Sequence, residues 1–347
     1  MSILCATQVR VLIIDDSAVV RKVLSEKLGQ QAGIEVVGTA PDPIIAVDKI
    51  RRLKPQVLTL DVEMPRMDGI TFLGKLMKAQ PMPVIVLSSL TPKGSKTAIE
   101  ALAAGAVEVI AKPGPAYSVA DAVDDLAEKI ISASKMRLGK INPNSEATPV
   151  RRTHMAETTH KILAIGASTG GVRAIETVLR GFPANAPGTL IVQHMPANFT
   201  TSFAERLNRE CAVTVKEAQD RDSVIPGRVL IAPRGFHMTL QRSGASYGVS
   251  VRRGPRVCLQ MPSVEVLFDS VAKYAGANAV GAILTGMGND GAQGLLNMRN
   301  SGAHTFAQNE ASCVVFGMPK EAIDAGAAEK VVPLSNIAPM MLRCASR

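Results

Sequence analysis

Short apolar segments alternate with amphipathic helical segments along most of this chain of 347 residues, and this alternation constrains its fold more than any other feature. Val9–Ile14 is the first example: a continuous apolar run that ends at Asp15 and Asp16, as expected of a strand buried on both faces. Ser17 is a predicted N-cap for a helical stretch over residues 18–28. Strands alternating with helices predict α/β domains with parallel sheets, whose ligands bind at the carboxyl ends of the strands.

Residues 1–134 are predicted to form one domain with an open, doubly wound sheet of five parallel strands. The predicted strands are residues 9–14, 34–37, 57–60, 83–87 and 107–110. The predicted helices are residues 18–28, 44–53, 69–78 and 93–104. In such a sheet the polar residues that follow each strand converge on one edge.

Residues 135–160 lack the alternation and contain Gly, Pro and polar side chains without period, which predicts a flexible, basic linker. Residues 161–347 resume the alternation and are predicted to form a second α/β domain with a mostly parallel sheet. Its predicted strands are residues 161–165, 189–193, 213–215, 228–232, 238–241 and 279–284. Its predicted helices are residues 172–179, 200–209 and 264–274, with another that ends near residue 299.

The composition is that of a soluble globular protein, with 46% hydrophobic and 20% charged residues. No apolar run approaches the roughly 20 residues of a bilayer span, and the N-terminus lacks a signal-peptide pattern, so membrane insertion is not expected. The five cysteines lie far apart and none has CxxC spacing, which argues against a zinc site or a disulfide framework. These features predict a cytoplasmic protein.

The net charge of +9 comes mainly from the second half of the chain. Residues 1–134 contain 15 basic and 15 acidic side chains, residues 135–160 contain 5 and 2, and residues 161–347 contain 19 and 13. A basic excess favours an acidic partner, whether protein, membrane surface or nucleic acid. It is equally compatible with an ordinary solvated surface.

Five polar residues lie at the predicted strand ends of the first domain and are expected to meet in one pocket. They are Asp15, Asp16, Asp61, Ser88 and Lys112. Three carboxylates suit a hard cation such as Mg²⁺, while a hydroxyl and an ammonium can bind the oxygens of a phosphoryl group. Any one of these aspartates alone is explained as a helix cap, so the prediction depends on the whole set.

This set, with the segment LDVEMPRMDG at residues 60–69 and the pair Lys112-Pro113, resembles the receiver domain of two-component response regulators. The resemblance implies a flavodoxin-like sheet, Asp61 as the phosphorylated residue, and Mg²⁺ held by Asp15, Asp16 and Asp61. It further implies that Ser88 and Lys112 contact the phosphoryl group and that the Lys112-Pro113 bond is cis. One position departs from the family, because Val109 stands where many receivers have an aromatic switch residue.

A serine, a histidine and an aspartate follow predicted strands of the second domain. Ser168 lies in Gly166-Ala-Ser-Thr-Gly170, a strand-to-helix turn of G-x-S-x-G form, where helix N-terminal N–H groups can stabilise an oxyanion. His194 ends the next strand and can accept the serine proton, and Asp290, in another glycine-rich turn, can orient the histidine. The order Ser…His…Asp differs from that of α/β-hydrolases. A glycine-rich turn alone also binds phosphate, and Asp290 alone is explained as a helix cap.

Nearly the whole chain resembles the CheB family of chemotaxis protein-glutamate methylesterases. The matching segments are IGASTGG (165–171), QHMP (193–196), IAPRGFHM (231–238) and TGMGNDG (285–291). The resemblance implies Ser168 as nucleophile, His194 as general base and Asp290 as the orienting acid. Thr169 and Met287 would line the site and contribute to the oxyanion hole.

The same resemblance implies hydrolysis of glutamate γ-methyl esters on methyl-accepting chemotaxis receptors, with release of methanol, and deamidation of receptor glutamines. The phosphodonor would be the chemotaxis histidine kinase, and phosphorylation of Asp61 would activate the esterase. Mg²⁺ belongs to the receiver and the esterase step requires no cofactor.

Two other functions are compatible with a receiver, but the second half of the chain argues against both. A DNA-binding output domain is disfavoured because about 190 residues of α/β pattern exceed a helix-turn-helix and end without a basic recognition helix, so no nucleic acid partner is expected. A nucleotide-binding output at residues 166–171 lacks both G-x-G-x-x-G and the P-loop pattern.

Overall fold

The computed structural model describes residues 8–64, 69–89, 91–112, 119–136, 160–196 and 198–346, without the side chains of residues 92 and 119–122. The chain divides into two compact units, Met1–Asn142 and Pro143–Arg347, called here the N-terminal and C-terminal units. The division falls within the predicted linker, of which residues 137–159 lie outside the described residues.

A parallel sheet of five strands forms the described N-terminal unit, in the order β2-β1-β3-β4-β5. The strands are β1 (Val9–Ile14), β2 (Ile34–Ala40), β3 (Val57–Asp61), β4 (Val84–Ser88) and β5 (Glu108–Ala111). This is the flavodoxin-like order, with its switch point between β1 and β3, and it confirms the predicted fold class. Every residue of β3, β4 and β5 is buried, which explains their nearly continuous apolar sequences.

Five helices connect these strands in the described part of the unit. They are α1 (Ala18–Gly29), α2 (Pro43–Leu53), α3 (Gly69–Ala79), α4 (Pro92–Ala104) and α5 (Val119–Ser134). The predicted N-cap is confirmed, because the Ser17 hydroxyl accepts a hydrogen bond from the Val20 N–H. Sequence analysis located the first four helices within one or two residues but did not predict α5.

The C-terminal unit is built on a sheet of seven described strands, in the order β14-β13-β12-β6-β7-β9-β8, and all neighbouring strands in it are parallel. The strands are β6 (Ile162–Ala167), β7 (Gly188–Gln193), β8 (Thr214–Glu217), β9 (Arg228–Ile231), β12 (Ala279–Ile283), β13 (His304–Gln308) and β14 (Lys330–Val332). The predicted, mostly parallel sheet is therefore confirmed. A separate antiparallel hairpin consists of β10 (His237–Ser243) and β11 (Ser246–Arg252).

Six helices complete the described C-terminal unit. They are α6 (Gly171–Arg180), α7 (Phe199–Glu210), α8 (Val264–Tyr274), α9 (Ala292–Asn300), α10 (Met318–Asp324) and α11 (Leu334–Ala345). Sequence analysis did not predict β11, β13, β14, α10 or α11. The strand β13 was not predicted because two buried polar residues, Thr305 and Gln308, interrupt its apolar pattern.

The central strands β6 and β7 are buried along their whole length, and phenylalanines on the surrounding elements fill the core. Phe199, Phe203, Phe268 and Phe306 are fully buried. In the register of β6 and β7, Ala167 pairs with Gln193, so the residues that follow the two strands begin side by side. Among the described residues, no helix is long and apolar enough to cross a bilayer.

Candidate active site and acidic pocket

The acidic residues at the carboxyl edge of the N-terminal sheet come together as predicted. A carboxylate oxygen from each of Asp15, Asp16 and Asp61 lies within 4.8 Å of the other two, and Asp15 and Asp61 are buried while Asp16 is exposed. Lys112 approaches from the end of β5, with its Nζ 2.6 Å from Asp61 Oδ2 and 3.2 Å from Asp15 Oδ2. The Arg21 guanidinium fixes the backbone of this corner by donating to the carbonyls of Asp15 and Asp16.

Burial and the lysine act in opposite directions on this pocket. Burial raises the pKa of Asp61 above its ordinary 3.8, although hydrogen bonds from the Lys112 ammonium and the Glu63 N–H oppose the rise. Burial acts to lower the pKa of Lys112, but its hydrogen bond and ion pair with Asp61, together with the charge of Asp15, outweigh burial and raise it. Lys112 is therefore a fixed positive charge beside the Asp61 carboxylate.

The pocket fits the predicted Mg²⁺ site because it contains a buried anionic oxygen with unused bonding capacity. Asp15 Oδ2 lies within ion-pair distance of Lys112, yet it accepts no hydrogen bond from the described residues. The other oxygen of Asp15 accepts the Ser17 N–H at 2.8 Å. A buried carboxylate oxygen without a hydrogen-bond donor is costly, and a hard cation bound by oxygens of Asp15, Asp16 and Asp61 would remove that cost.

Two other receiver predictions concern neighbouring residues. Ser88 is fully buried, and its hydroxyl donates to the Gly94 carbonyl of α4 at 3.0 Å, so it is directed at the helix rather than at Asp61. Val109 is buried in β5, at the position where an aromatic switch residue is common. Pro113, and with it the predicted cis bond, lies outside the described residues, as do residues 65–68 of the matching segment.

In the C-terminal unit, Ser168 lies in a tight turn between β6 and α6. Its N–H donates to the Thr285 carbonyl at 3.0 Å, and its carbonyl accepts the Gly171 N–H at 2.7 Å. Gly170 has a φ of +77°, and a Cβ there would lie 2.4 Å from Val314, so a side chain is excluded for both conformational and steric reasons. The turn leaves the Ser168 side chain partly exposed.

His194 follows β7 directly and is brought to this turn by the neighbouring strand. Its N–H donates to the Ala167 carbonyl at 3.1 Å. The buried Gln193 side chain connects the two residues a second time, because its Nε2 donates to the carbonyls of both Ser168 (2.8 Å) and His194 (2.9 Å). This role of Gln193, which belongs to the QHMP segment, was not predicted from the sequence.

Asp290 does not cap the helix that follows it, since α9 has Gly291 at its N-cap and no side-chain cap. Its buried carboxylate instead receives donors from the N-terminus of α8: the Ser263 hydroxyl (2.7 Å), the Val264 N–H (2.8 Å) and the Glu265 N–H (3.0 Å). The fourth partner is His194, whose Nε2 lies 2.8 Å from Asp290 Oδ2. Each of the two Asp290 oxygens therefore accepts at least two hydrogen bonds, which predicts a rigid carboxylate.

These contacts set the charge of Asp290 and the tautomer of His194. Burial acts to raise the pKa of Asp290, but the hydrogen bond and charge of His194, with the Glu265 N–H and the Ser263 hydroxyl, outweigh it and hold the pKa below 3.8. An ionised carboxylate only accepts hydrogen bonds, so Nε2 of His194 must carry its proton. In the neutral ring, Nδ1 is then the basic nitrogen. No described residue is hydrogen-bonded to Nδ1.

Two backbone N–H groups beside Ser168 are available to bind an oxyanion. The Ser168 N–H is already used by Thr285, whereas the N–H groups of Thr169 and Gly170, at the start of α6, have no partner among the described residues. Met287 lies next to the Ser168 turn, because a Cβ on the preceding Gly286 would be 2.8 Å from Ser168 Cβ. Gln193 thus connects the backbones of Ser168 and His194, and His194 contacts Asp290.

Several residues that hold this arrangement were not predicted. The Thr285 hydroxyl donates to the Thr169 carbonyl at 2.9 Å and accepts the N–H groups of Val314 and Val315 at 3.1 and 2.9 Å. Ser263 is both a donor to Asp290 and the N-cap of α8. The cap was recognisable as a serine before an apolar periodic run, but its contact with Asp290 joins residues 27 positions apart.

Comparison with known protein families gives two matches along the chain. The model of the response regulator receiver domain matches residues 11–124, and that of the CheB methylesterase matches residues 163–341. The second match covers about half of the chain and includes Ser168, His194 and Asp290.

Curated relatives and a solved structure extend the comparison. Protein-glutamate methylesterase/protein-glutamine glutaminase 2 of Syntrophus aciditrophicus is 57% identical over 340 residues, which is 97% of this chain and 99% of that protein. The enzyme of the same description from Escherichia coli K12 is 51% identical over 338 residues, 97% of either chain. The crystal structure of the Thermotoga maritima CheB methylesterase catalytic domain is 36% identical, with a TM-score of 0.52, over 53% of this chain and 98% of that domain.

Proposed function

The chain belongs to the CheB family of methylesterases, and we propose that Ser168, His194 and Asp290 are the catalytic residues of its reaction. As a member of this family it is a protein-glutamate methylesterase and protein-glutamine glutaminase that acts in chemotactic adaptation under control of its receiver domain. The observation that supports the catalytic assignment most strongly is the 2.8 Å contact between His194 and Asp290 beside the Ser168 turn.

The ester reaction follows from this geometry. Ser168 Oγ attacks the γ-carbonyl carbon of an esterified glutamate while His194 Nδ1 takes the hydroxyl proton, and Asp290 stabilises the imidazolium. The N–H groups of Thr169 and Gly170 donate hydrogen bonds to the oxyanion. One such donor typically lowers the activation free energy by about 3 kcal/mol. His194 then protonates the departing methoxide, which leaves as methanol.

Hydrolysis of the acyl-enzyme uses the same groups in reverse order. His194 removes a proton from water, the hydroxide attacks the acyl carbon, and the proton returns to Ser168 as the glutamate is released. A glutamine side chain follows the same route, with ammonia as the leaving group in place of methanol. Apart from the substrate and water, neither step requires a cofactor.

In the receiver, Asp61 is the proposed phosphoacceptor, and Asp15, Asp16 and Asp61 are the proposed Mg²⁺ ligands. Bound Mg²⁺ there would neutralise the clustered carboxylates and the phosphoryl oxygens. Lys112 already contacts Asp61 and is placed to pair with the new phosphate charge. Ser88 would exchange its Gly94 partner for a phosphoryl oxygen, which gives α4 a direct connection to the phosphorylation state.

The proposed partners are methyl-accepting chemotaxis receptors as protein substrates and the chemotaxis histidine kinase as phosphodonor. Phosphorylation of Asp61 adds charge that would bias the enzyme toward an active state. Receptor glutamates lie in a protein surface, so the substrate must bring its ester to Ser168 without entering a deep cavity. The partly exposed position of Ser168 supports this mode of access.

Methanol release from membranes that carry methylated chemoreceptors tests the proposal. The full chain, Ser168→Ala and the matched control Ser243→Ala, an exposed serine of the β10–β11 hairpin, are compared in the presence of a small phosphodonor and Mg²⁺. We expect release by the wild type and by Ser243→Ala and none above background by Ser168→Ala. Equal release by all three would remove Ser168 as the nucleophile.

A further inference from the structure

Two loops next to Asp290 form a continuous rim on the C-terminal unit. The rim consists of residues 233–237 and 252–263, and hydrogen bonds join its two parts. The Gly235 N–H donates to the Met261 carbonyl at 3.2 Å, and His237 Nε2 is bonded to the Pro255 carbonyl at 2.8 Å. The Ser263 N–H donates to His237 Nδ1 at 3.3 Å, so His237 holds both ends of the second loop.

The rim adjoins the catalytic residues, since Ser263, its last member, donates to Asp290. Burial and the nearby charges of Asp290 and Glu265 raise the pKa of the Cys258 thiol, as expected if the middle of the second loop also lies beside Asp290. A macromolecule that contacts the rim would therefore lie within reach of His194, the neighbour of Asp290.

The rim carries an unbalanced positive charge. Its 17 residues include four arginines and neither aspartate nor glutamate. Arg252 is paired with Asp220 at 3.1 Å, whereas Arg234 and Arg256 have no partner among the described residues. Arg253 is stacked over the Phe236 ring, 5.3 Å from its centroid, and is exposed without an acidic partner. Three guanidinium groups are thus left to bind anions from outside.

The tip of the rim presents an apolar residue in a constrained turn. Val257 and Gln260 exchange two backbone hydrogen bonds, and Cys258 and Leu259 between them have φ values of +49° and +63°. Such a turn normally contains Asn or Gly, because the left-handed backbone conformation is unfavourable for residues with a larger side chain. Leu259 is nevertheless 82% exposed. The unfavourable backbone conformation therefore holds a leucine side chain in solvent, where it buries little apolar surface within the C-terminal unit.

We propose that this rim is the docking surface for the protein substrate, and that it binds a segment carrying further carboxylates near the esterified glutamate. The arginines would pair with those carboxylates and Leu259 would be covered by the same segment. The inference rests on the function proposed above and names the chemistry of the substrate region that the enzyme recognises. Charge complementarity of this kind mainly increases the association rate and the specificity of binding.

The test compares two substrates of the full-length enzyme: methylated chemoreceptors in phosphatidylcholine vesicles, and N-acetylglutamate γ-methyl ester α-amide, a small uncharged ester. The variants are Arg253→Glu/Arg256→Glu, the charge-retaining Arg253→Lys/Arg256→Lys, and the control Arg343→Glu. Arg343 is exposed on α11, near the amino end of β6, where Lys161 binds the Cys344 carbonyl, and hence at the edge of the sheet opposite Ser168.

The measured quantity is the ratio of kcat/KM for the receptor to kcat/KM for the small ester. We expect the charge reversal to lower this ratio about tenfold, because it raises KM for the receptor and leaves kcat unchanged. The lysine variant should retain most of the ratio, Arg343→Glu should leave it unchanged, and added NaCl should lower it in the wild type more than in the reversed variant.

An unchanged ratio in the reversed variant would overturn the proposal. A loss seen only when anionic phosphatidylglycerol is added to the vesicles would also overturn it and assign the rim to lipid. If the wild type released no methanol from receptors, the proposed function would fail instead, and this outcome is distinct from wild-type release that the rim variants leave intact.

Discussion

His194 Nε2 lies 2.8 Å from Asp290 Oδ2, which leaves Nδ1 as the nitrogen that would accept the Ser168 proton in the proposed reaction. The Asp290 carboxylate accepts three further hydrogen bonds from Ser263, Val264 and Glu265, so its orientation is fixed by donors other than the histidine. A reactive tautomer is thus set by the N-terminus of α8, an element that sequence analysis did not connect with catalysis.

Asp290→Asn should reduce kcat by roughly 10³–10⁴-fold, because an amide can donate to Nε2 and stabilise the wrong tautomer. The size of the effect is taken from the corresponding aspartate of serine proteases. Methanol release under saturating receptor measures it, with Asp269→Asn on α8 as a control of equal charge change. A loss of less than about tenfold would contradict the tautomer assignment.

The pH dependence of stability provides a separate test of Asp290. Its pKa is lower in the folded protein than the ordinary 3.8, so it stabilises the fold above that pH, and the stabilisation is lost as the pH falls through the lowered pKa. The difference in free energy of unfolding between wild type and Asp290→Asn should shrink as the pH falls from about 5 to below 3.8. Urea unfolding of the C-terminal unit, followed across this range, measures it. A difference that increases toward low pH would be inconsistent with the lowered pKa.

Ser263→Ala should lower both stability and turnover, because one hydroxyl caps α8 and donates to Asp290. Loss of the cap costs about 1 kcal/mol, and we expect kcat to fall about tenfold with little change in KM. Ser263→Thr keeps the hydroxyl and should recover most of kcat. Equal kcat for the alanine and threonine variants would limit Ser263 to a structural role.

Thr285 should behave as a positioning residue for the nucleophile turn. Thr285→Val keeps the shape but removes the hydroxyl that holds the Thr169 carbonyl and the N–H groups of Val314 and Val315, leaving buried groups unpaired at a cost of about 1–3 kcal/mol. We expect a lower Tm and a kcat reduced at least tenfold, whereas Thr285→Ser should retain both. If Thr285→Val lowered Tm alone, its contacts would matter for folding and not for the oxyanion donors.

In the receiver, Asp61→Asn should abolish stimulation by a small phosphodonor, so that esterase rates with and without it become equal. Asp48→Asn, an exposed aspartate on α2, should be stimulated like the wild type. Mg²⁺ should also raise the Tm of the receiver in Asp48→Asn but not in Asp15→Asn, because binding to the folded state alone stabilises it by mass action. Stimulation of Asp61→Asn would place the phosphoacceptor elsewhere, and an equal Tm rise in both variants would remove Asp15 from the metal site.

The sequence by itself determined the strands that carry the sites, because buried parallel strands are continuous apolar runs and their polar end residues share one edge of a sheet. That was sufficient to bring Asp15, Asp61 and Lys112 together, and likewise Ser168 and His194. The helices and strands that it missed, such as β13 with its buried Thr305 and Gln308, break the apolar period on which the prediction depends.

Tertiary structure alone decided which partners these residues have. Asp290 follows the pattern of a helix cap in the sequence, yet it binds the N-terminus of α8, residues 263–265, and not the helix that follows it. The fold also pairs the Ser168 N–H with the Thr285 carbonyl and leaves the N–H groups of Thr169 and Gly170 without a partner among the described residues. Hydrogen bonds between distant segments depend on the orientation of individual groups, which periodicity does not encode, whereas burial of a whole segment does leave a periodic trace in the sequence.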